Sequence, residues 1–327
     1  MKKLLSMLLA LGTMFSFVAC GGEDAKANDA DAKDGFKISV IQLVKHDALD
    51  KAYEGFVEGL AELGYKEGEN LTIDYQNCGG EQANCITISD KIINNGSDLI
   101  LAIATPAAQA IASKTSDIPI LATAVTDFES AKLTSSNISG TSDMAPVERQ
   151  IELLHKLSPE AKTVGMLYCS SEANSKFQVT IAEEACQKLG LETKSYTVSN
   201  TSEVKQIAES MVGKVDAIYV PCDNVIASSM PTVSSVVTPA SIPVIVAEEG
   251  PCVGGGLATY GLNYFNLGKQ TAVMADKILK GEAKPEDLPV ETLEKTDLFI
   301  NEDIMNALEI SVPEELLSEA TMVSSAK

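Results

Sequence analysis

Residues 98–127 read DLILAIATPAAQAIASKTSDIPILATAVTD, and the fold follows from this stretch. Residues 99–104 form an unbroken apolar run, as expected of a strand buried on both faces of a parallel sheet. Thr105 then takes the N-cap position of a helix with Pro106 at its first turn, so strand runs directly into helix. Such a junction turns backbone N–H groups outward at the carboxyl edge of a sheet, where open α/β folds bind ligands. Ile118-Pro119 opens the next apolar strand.

The same design returns at residues 216–250, DAIYVPCDNVIASSMPTVSSVVTPASIPVIVAEEG, with Asp223 and Asn224 capping the helix and Ile242-Pro243 opening the following strand. Upstream, residues 37–64 and 163–190 each read as a strand and an amphipathic helix closed by glycine, Gly64 and Gly190. Two copies of one βα unit predict an α/β protein of two similar Rossmann-like lobes with a cleft between them.

Residues 1–20 begin with Lys2-Lys3 and continue as an apolar run to Val18, the pattern of a secretory leader too short for a comfortable membrane span. Phe17-Val18-Ala19-Cys20 resembles the lipobox of bacterial lipoproteins, which makes Cys20 the expected lipidation site, with Phe17 departing from the usual Leu. Residues 21–35 lack apolar periodicity and read as a flexible tether. The expectation is a globular body outside the cytoplasm, held to the outer face of the cell membrane. The remaining roughly 290 residues suit two lobes of ordinary size.

A net charge of −21 argues against nucleic acid and anionic lipid as partners. Of seven cysteines, Cys78 and Cys85 are spaced to close a short loop, and Cys222 and Cys252 follow strands of the second copy, where they can meet. Buried thiols are the alternative reading of all of them. With His46 and His155 the only histidines, no metal site or cofactor is expected. No Gly-x-Ser-x-Gly elbow or phosphate-binding Gly-x4-Gly-Lys-Ser/Thr occurs, so the enzyme class is disfavoured and catalytic residues are expected to be none.

Gln42, His46, Leu49-Asp50, Thr105-Pro106-Ala107, Val125-Thr126-Asp127, Asn137-Ile138-Ser139-Gly140, residues 171–175 (SEANS), Asp223-Asn224 and residues 260–264 (YGLNY) with Leu267-Gly268 together resemble the ABC-transporter substrate-binding lipoproteins that include tryptophan-, tyrosine- and phenylalanine-binding members. The resemblance runs from Phe36 to the C-terminus. It implies the type I periplasmic-binding-protein fold: two lobes joined by three crossovers around a central cleft, a monomer that delivers a small solute to a membrane permease. Residues 36–141 with 264–287 would form one lobe, and 142–263 with 288–327 the other. Residues 137–143 are the first hinge candidate, and residues 266–280 the helix that returns to the first lobe. A sensor docking to a signalling receptor, and a nucleoside or sugar as ligand, remain alternatives.

A free amino acid supplies the chemistry against which the cleft candidates sort. The strand-to-helix turns at Thr105, Pro106 and Ala107, and at Ser170, Ser171 and Glu172, offer donors to a carboxylate. Asp127 and Asp223 can accept from an ammonium, with Thr126 a further cleft candidate and Glu249 and its neighbour Glu248 in reserve. Helix capping is the competing role for every one of these turn residues, Thr126 and Asp127 least because no obvious helix follows them; Asn174 and Ser175 are ligands or first-turn residues, and Asn224 shares the cap with Asp223. His46 is expected to face the ligand, and His155 to lie on the surface or between lobes. A buried aromatic side chain contributes on the order of 4 to 6 kcal/mol at about 25 cal/mol per Å², so an aromatic amino acid is favoured. Tyr260, Tyr168, Tyr264 and Phe128 are the candidate walls, with core packing as their competing role.

Overall fold

A computed structural model describes residues 35–325, Glu294 excepted. The expected leader, Cys20 and all of the tether but Gly35 lie outside these residues. In chain order the elements are β1 (Phe36–Gln42), α1 (Asp47–Glu62), β2 (Leu71–Asn77), α2 (Gln82–Ile92), β3 (Leu99–Ile103), α3 (Thr105–Ala112), β4 (Ile120–Val125), β5 (Ile138–Ser142), α4 (Val147–Leu157), β6 (Thr163–Cys169), α5 (Ala173–Lys188) and β7 (Glu192–Val198). They continue as α6 (Val204–Met211), β8 (Ala217–Val220), α7 (Asn224–Val237), β9 (Val244–Val246), α8 (Glu249–Val253), β10 (Ala258–Gly261), α9 (Tyr264–Leu279), β11 (Glu291–Thr292), β12 (Asp297–Asn301), α10 (Glu302–Ala307), α11 (Glu314–Glu319) and β13 (Thr321–Val323).

These strands form two sheets of mostly parallel strands, ordered β11-β5-β4-β3-β1-β2 and β13-β12-β10-β9-β8-β6-β7. The first five strands of each sheet repeat one topology, so the doubling read from the sequence is a doubling of the fold. The chain passes between the sheets after β5, after β10 and after β11. Residues 137–143, expected as a hinge, instead supply β5, which pairs with β4 and carries a register shift between Ala122 and Val125. The passage follows at residues 143–146. After α9 the chain first adds β11 to the first sheet beside β5 and only then crosses.

The central strands bury every residue, β3 and β4 throughout their length, and this gives each sheet its own apolar core. Helix α9 follows a strand of the second sheet yet packs in the core of the first. Its Leu267, Ala272, Met274 and Ala275 are buried there, and the Tyr65 hydroxyl donates to Asp276 at 2.9 Å.

Cys78 and Cys85 are bridged, as their spacing suggests, at a sequence separation of 7. Cys222 and Cys252 are not: both are free and buried, Cys222 beside Asp143 and Cys252 beside the Gly256 carbonyl. Closing so short a loop removes about 2.5 kcal/mol of unfolded-chain entropy. The Cys78→Ser/Cys85→Ser double variant should therefore lose about 2 to 3 kcal/mol in urea unfolding, a loss that dithiothreitol should reproduce in the unaltered protein.

Candidate functional site

In the first sheet the order reverses between β1 and β3, and in the second between β6 and β8. Loops leaving adjacent strands on either side of such a reversal diverge and open a crevice at the carboxyl edge. His46 follows β1 and Thr105 follows β3; Glu172 follows β6, and Asp223 with Asn224 follows β8. The two crevices face each other. His46 Nε2 lies 3.2 Å from Asn224 Oδ1, Gln178 Nε2 donates to Thr126 Oγ1 at 3.0 Å, and Lys51 Nζ stands 3.7 Å from a Glu249 carboxylate oxygen, each pair joining loops or helices of different sheets. Gly250 also brings α8 against α1, where an added Cβ would come within 3.3 Å of Asp47 Cβ.

Four carboxylates lie buried along this seam: Asp143, Glu172, Asp223 and Glu248. No lysine or arginine hydrogen-bonds to any of them among the described residues. Three are held by donors. Asp143 accepts from the Thr126 and Tyr264 hydroxyls at 3.0 and 2.7 Å. Glu172 accepts from the side-chain amides of Asn174 (3.0 Å) and Asn224 (2.5 Å) and from two backbone N–H groups of α7. Asp223 takes the Cys169 N–H at 2.6 Å, the Ser175 hydroxyl at 2.7 Å and the Ile226 N–H at 2.9 Å. Glu248 differs, because its Oε2 is buried with no partner.

Burial raises all four acids. Desolvation, reinforced by the Asp223 charge, pushes Glu172 up to about 8 against the pull of its amide donors. Asp143, Asp223 and Glu248 move the same way, with burial first in each case, and Glu248 is lifted further by the other three carboxylates. The His46 imidazole moves the other way, lowered by desolvation against its bond to Asn224 and the nearby Asp50 and Asp47. A raised carboxyl stabilises the folded chain below its ordinary value near 4.5 and loses that contribution as pH climbs to about 8. A lowered histidine contributes above 6.5 and loses that as pH falls. Between these values only the acids act, so the urea midpoint should fall from pH 6.5 to 8. Glu172→Gln should flatten that fall.

Five buried polar atoms without a partner stand at the carboxyl ends of the two sheets: Gln42 Oε1, His46 Nδ1, Thr105 Oγ1, Asn174 Oδ1 and Glu248 Oε2. A cavity of about 240 Å³ is lined by Leu43 and Pro106, the chain neighbours of Gln42 and Thr105, and by Ser171, Glu172 and Val225 among others. A second, of about 450 Å³, opens where the chain crosses, against Thr126, Asp127, Phe128 and Phe177.

Of the residues expected at the site, His46, Thr105, Pro106, Glu172, Asn174, Ser175, Asp223 and Asn224 gather at the facing crevices, and Ala107 is buried in the first turn of α3. Thr105 is not the cap of that helix: it is the first helical residue, and Ala104 at φ +81° takes the cap position. Ser170 bonds to the Val198 carbonyl and Ser171 is exposed at the cavity rim, its hydroxyl 3.1 Å from Cys169 Sγ. Thr126 is buried in the bridge to Gln178.

Three candidates lie apart from this cluster. Asp127 caps a local exposed turn through the Ser130 N–H at 2.6 Å. Glu249 sits at the rim, in the ion pair with Lys51. Tyr260 turns away altogether: its ring lies under Arg149 at 3.9 Å and its hydroxyl donates to Glu319, beside a cavity of about 360 Å³ on the outer flank of the second sheet. Among the other aromatics Tyr168 packs on the second core, Phe128 is buried in the first, and Tyr264 serves Asp143. Gln178 joins the seam from outside that set; its signal in the sequence is a glutamine one turn after Asn174 and Ser175 on the buried face of α5, a polar stripe where an apolar one belongs.

A family profile described as ABC transporter substrate binding protein matches residues 37–324. A tyrosine-binding protein of Clostridioides difficile is 41% identical over 322 residues, covering 94% of this chain and 93% of its own. A crystal structure of an ABC domain in complex with L-Trp from Streptococcus pneumoniae is 41% identical, covers 88% of this chain and 99% of its own, and superposes with a TM-score of 0.85. A ligand-free, open structure of a substrate-binding protein with adhesive properties from Clostridium difficile, 44% identical, covers 89% of this chain and 100% of its own with a TM-score of 0.67. With two like sheets, three crossings and facing carboxyl edges, the fold is that of the type I periplasmic binding proteins, and the chain belongs to the family of ABC transporter substrate-binding proteins.

Proposed function

We propose that the protein is the extracytoplasmic receptor of an amino-acid importer, that it takes an aromatic amino acid into the seam between its sheets, and that it hands the ligand to a membrane permease. The observation that carries this reading is the set of five buried, unpartnered polar atoms on the two facing crevices. Burying a polar group without a partner costs about 1 to 3 kcal/mol, and a ligand bearing both donors and an acceptor offsets that cost. Glu248, the one buried acid with an unsatisfied oxygen, takes the ammonium; the Thr105 hydroxyl and the first turn of α3 take the carboxylate. The names of the similar proteins, one tyrosine-binding and one in complex with L-Trp, support an aromatic side chain.

Two lobes moving as bodies complete the cycle, one built on the first sheet, β11 included, and one on the second, with the crossings as hinges. In support, similarity is higher to the L-Trp complex than to the open, ligand-free structure at nearly equal identity. Rigid-body opening has that effect without any change within a lobe. Cys20 would hold the monomer to the outer face of the membrane, within reach of its permease.

Thermal denaturation of the mature chain against the twenty amino acids, nucleosides and common sugars tests the reading. A ligand at about 100 times its Kd stabilises by about 2.7 kcal/mol, and tyrosine or tryptophan should head the ranking. Glu248→Gln should weaken that ligand by about 10- to 100-fold, the worth of one charge-assisted hydrogen bond. A response to sugars or nucleosides alone, or a Glu248→Gln protein that binds tyrosine and tryptophan undiminished, would refute it.

A further inference from the structure

We propose that His46 reads the ligand as a hydrogen-bond acceptor, its imidazole fixed by Glu172 and Asn224 so that a bare Nδ1 faces the seam. This rests on the amino-acid reading above and adds to it the residue that selects for a donor. The argument runs along one chain of hydrogen bonds. Glu172 Oε2 receives the backbone N–H of Asn224 at 3.2 Å, and a backbone amide can only donate, so this oxygen accepts, and on the ionised acid it has no proton to give. The Asn224 side chain meets the same oxygen at 2.5 Å and must present its NH2 there. Asn174 Nδ2 donates to it as well at 3.0 Å, so the ionised acid offers nothing to a reversed amide.

With its NH2 committed, Asn224 turns Oδ1 to His46 Nε2 at 3.2 Å, and that contact is a hydrogen bond only if Nε2 carries the proton. Burial keeps the ring neutral. The second nitrogen is therefore a lone pair. It is shielded from water and meets no protein donor.

The neighbouring orphans share this character. Gln42 spends its NH2 on the Val44 carbonyl and on Asp50, and Asn174 spends its own on Glu172 and the Cys222 carbonyl. Each leaves only a carbonyl oxygen unused. Glu248 adds a carboxyl oxygen, an acceptor when ionised, and the Thr105 hydroxyl can both donate and accept. A seam lined almost entirely by acceptors selects a ligand rich in N–H and O–H groups. His46 has a second consequence: it stands on the first sheet's loop and Asn224 on the second's, so the bond that sets the tautomer forms only when the lobes meet. Selection and closure are thereby one event.

Substitution separates the two ring nitrogens, because an asparagine amide lies about where Nδ1 stood and a glutamine amide about where Nε2 stood. With L-tyrosine or L-tryptophan as probe, His46→Asn, which keeps an acceptor about where Nδ1 stood but loses the bond to Asn224, should bind more weakly than the unaltered protein yet more tightly than His46→Gln. His46→Gln, which keeps the bond to Asn224 but has no acceptor for the ligand, should bind at least about 10-fold more weakly, the equivalent of one hydrogen bond. In ¹⁵N-histidine spectra of the His155→Gln protein saturated with the probe, His46 should appear as the Nε2–H tautomer, its Nδ1 resonance displaced by an accepted hydrogen bond. Tight binding with an Nδ1–H tautomer, or a Gln variant equal to the Asn variant, overturns this inference and leaves the amino-acid reading intact. Binding of neither probe by the unaltered protein defeats both.

Discussion

Gly268→Val is expected to remove more than about 4 kcal/mol of stability, enough to leave little folded protein at 37 °C. Gly268 lies in α9 where that helix crosses α1, and its α-carbon rests on backbone. An added Cβ would overlap the Ala52 carbonyl oxygen and stand 2.7 Å from the Phe56 amide nitrogen. The facing glycine, Gly55 of α1, meets the Phe265 carbonyl in the same way. Glycine inside a helix costs about 1 kcal/mol against alanine, so two at one crossing mark a contact that larger residues forbid. Neither neighbour is a flexible side-chain end, so relief requires the helices to separate. That would open the core formed by Phe56, Leu60, Leu267 and Ala272. It would also pull on the hydrogen bond from Tyr65, just beyond the end of α1, to Asp276 on α9. Val273→Ala on the exposed side of α9 is the control, expected within about 0.5 kcal/mol. Urea unfolding of both decides the matter: a Gly268→Val protein within about 1 kcal/mol of the parent would show that the crossing can widen freely.

That crossing also marks the limit of what the chain reveals locally. The doubled strand–turn–helix pattern was legible because it is written in neighbours: apolar runs at residues 99–104 and 217–220, the paired Ile-Pro openings, and the polar caps between them. The switch-point residues His46, Thr105, Glu172 and Asp223 followed from topology, since whatever succeeds a strand in a doubled parallel sheet arrives at the carboxyl edge. The orientation of individual side chains did not follow. Glu248 and Glu249 are adjacent, and a one-residue difference in where β9 gives way to α8 decides which turns inward and which meets Lys51. Tyr260 stands in a fully buried strand, but its face is set by the antiparallel partner β12, which arrives some forty residues later. Residues 137–143 carry the polarity of a hinge and are nevertheless strand, because Thr141 is satisfied by Thr123 and Thr271 hydroxyls at 2.8 Å, contacts from elsewhere in the chain.

Asp223→Ala should cost about 3 to 5 kcal/mol and unfold the second lobe before it tells anything about the ligand. At the turn from β8 to α7 this carboxylate has two roles open to it, a ligand for an ammonium or a helix cap, and the geometry settles it on the cap and more. Its Oδ1 holds the Ile226 N–H of the first turn of α7, while Oδ2 ties that turn to Cys169 at the end of β6 and to Ser175 on α5. Three donors on a residue 1% exposed leave no approach for a ligand cation. Removing the carboxylate strands a buried backbone N–H at Cys169 and leaves the Ser175 hydroxyl only its longer bond to the Cys222 carbonyl at 3.3 Å, besides deleting the cap. Asn is no rescue, since its NH2 would face the Cys169 N–H or the Ile226 N–H, donor against donor. Asp127→Ala is the informative contrast. Its carboxylate caps an exposed turn, so its removal should cost no more than about 1 kcal/mol and leave amino-acid binding as it was. Urea unfolding and ligand-induced thermal shifts on both variants distinguish the roles. An Asp223→Ala protein of unchanged stability that fails to bind would return this residue to the ligand and remove it from the scaffold.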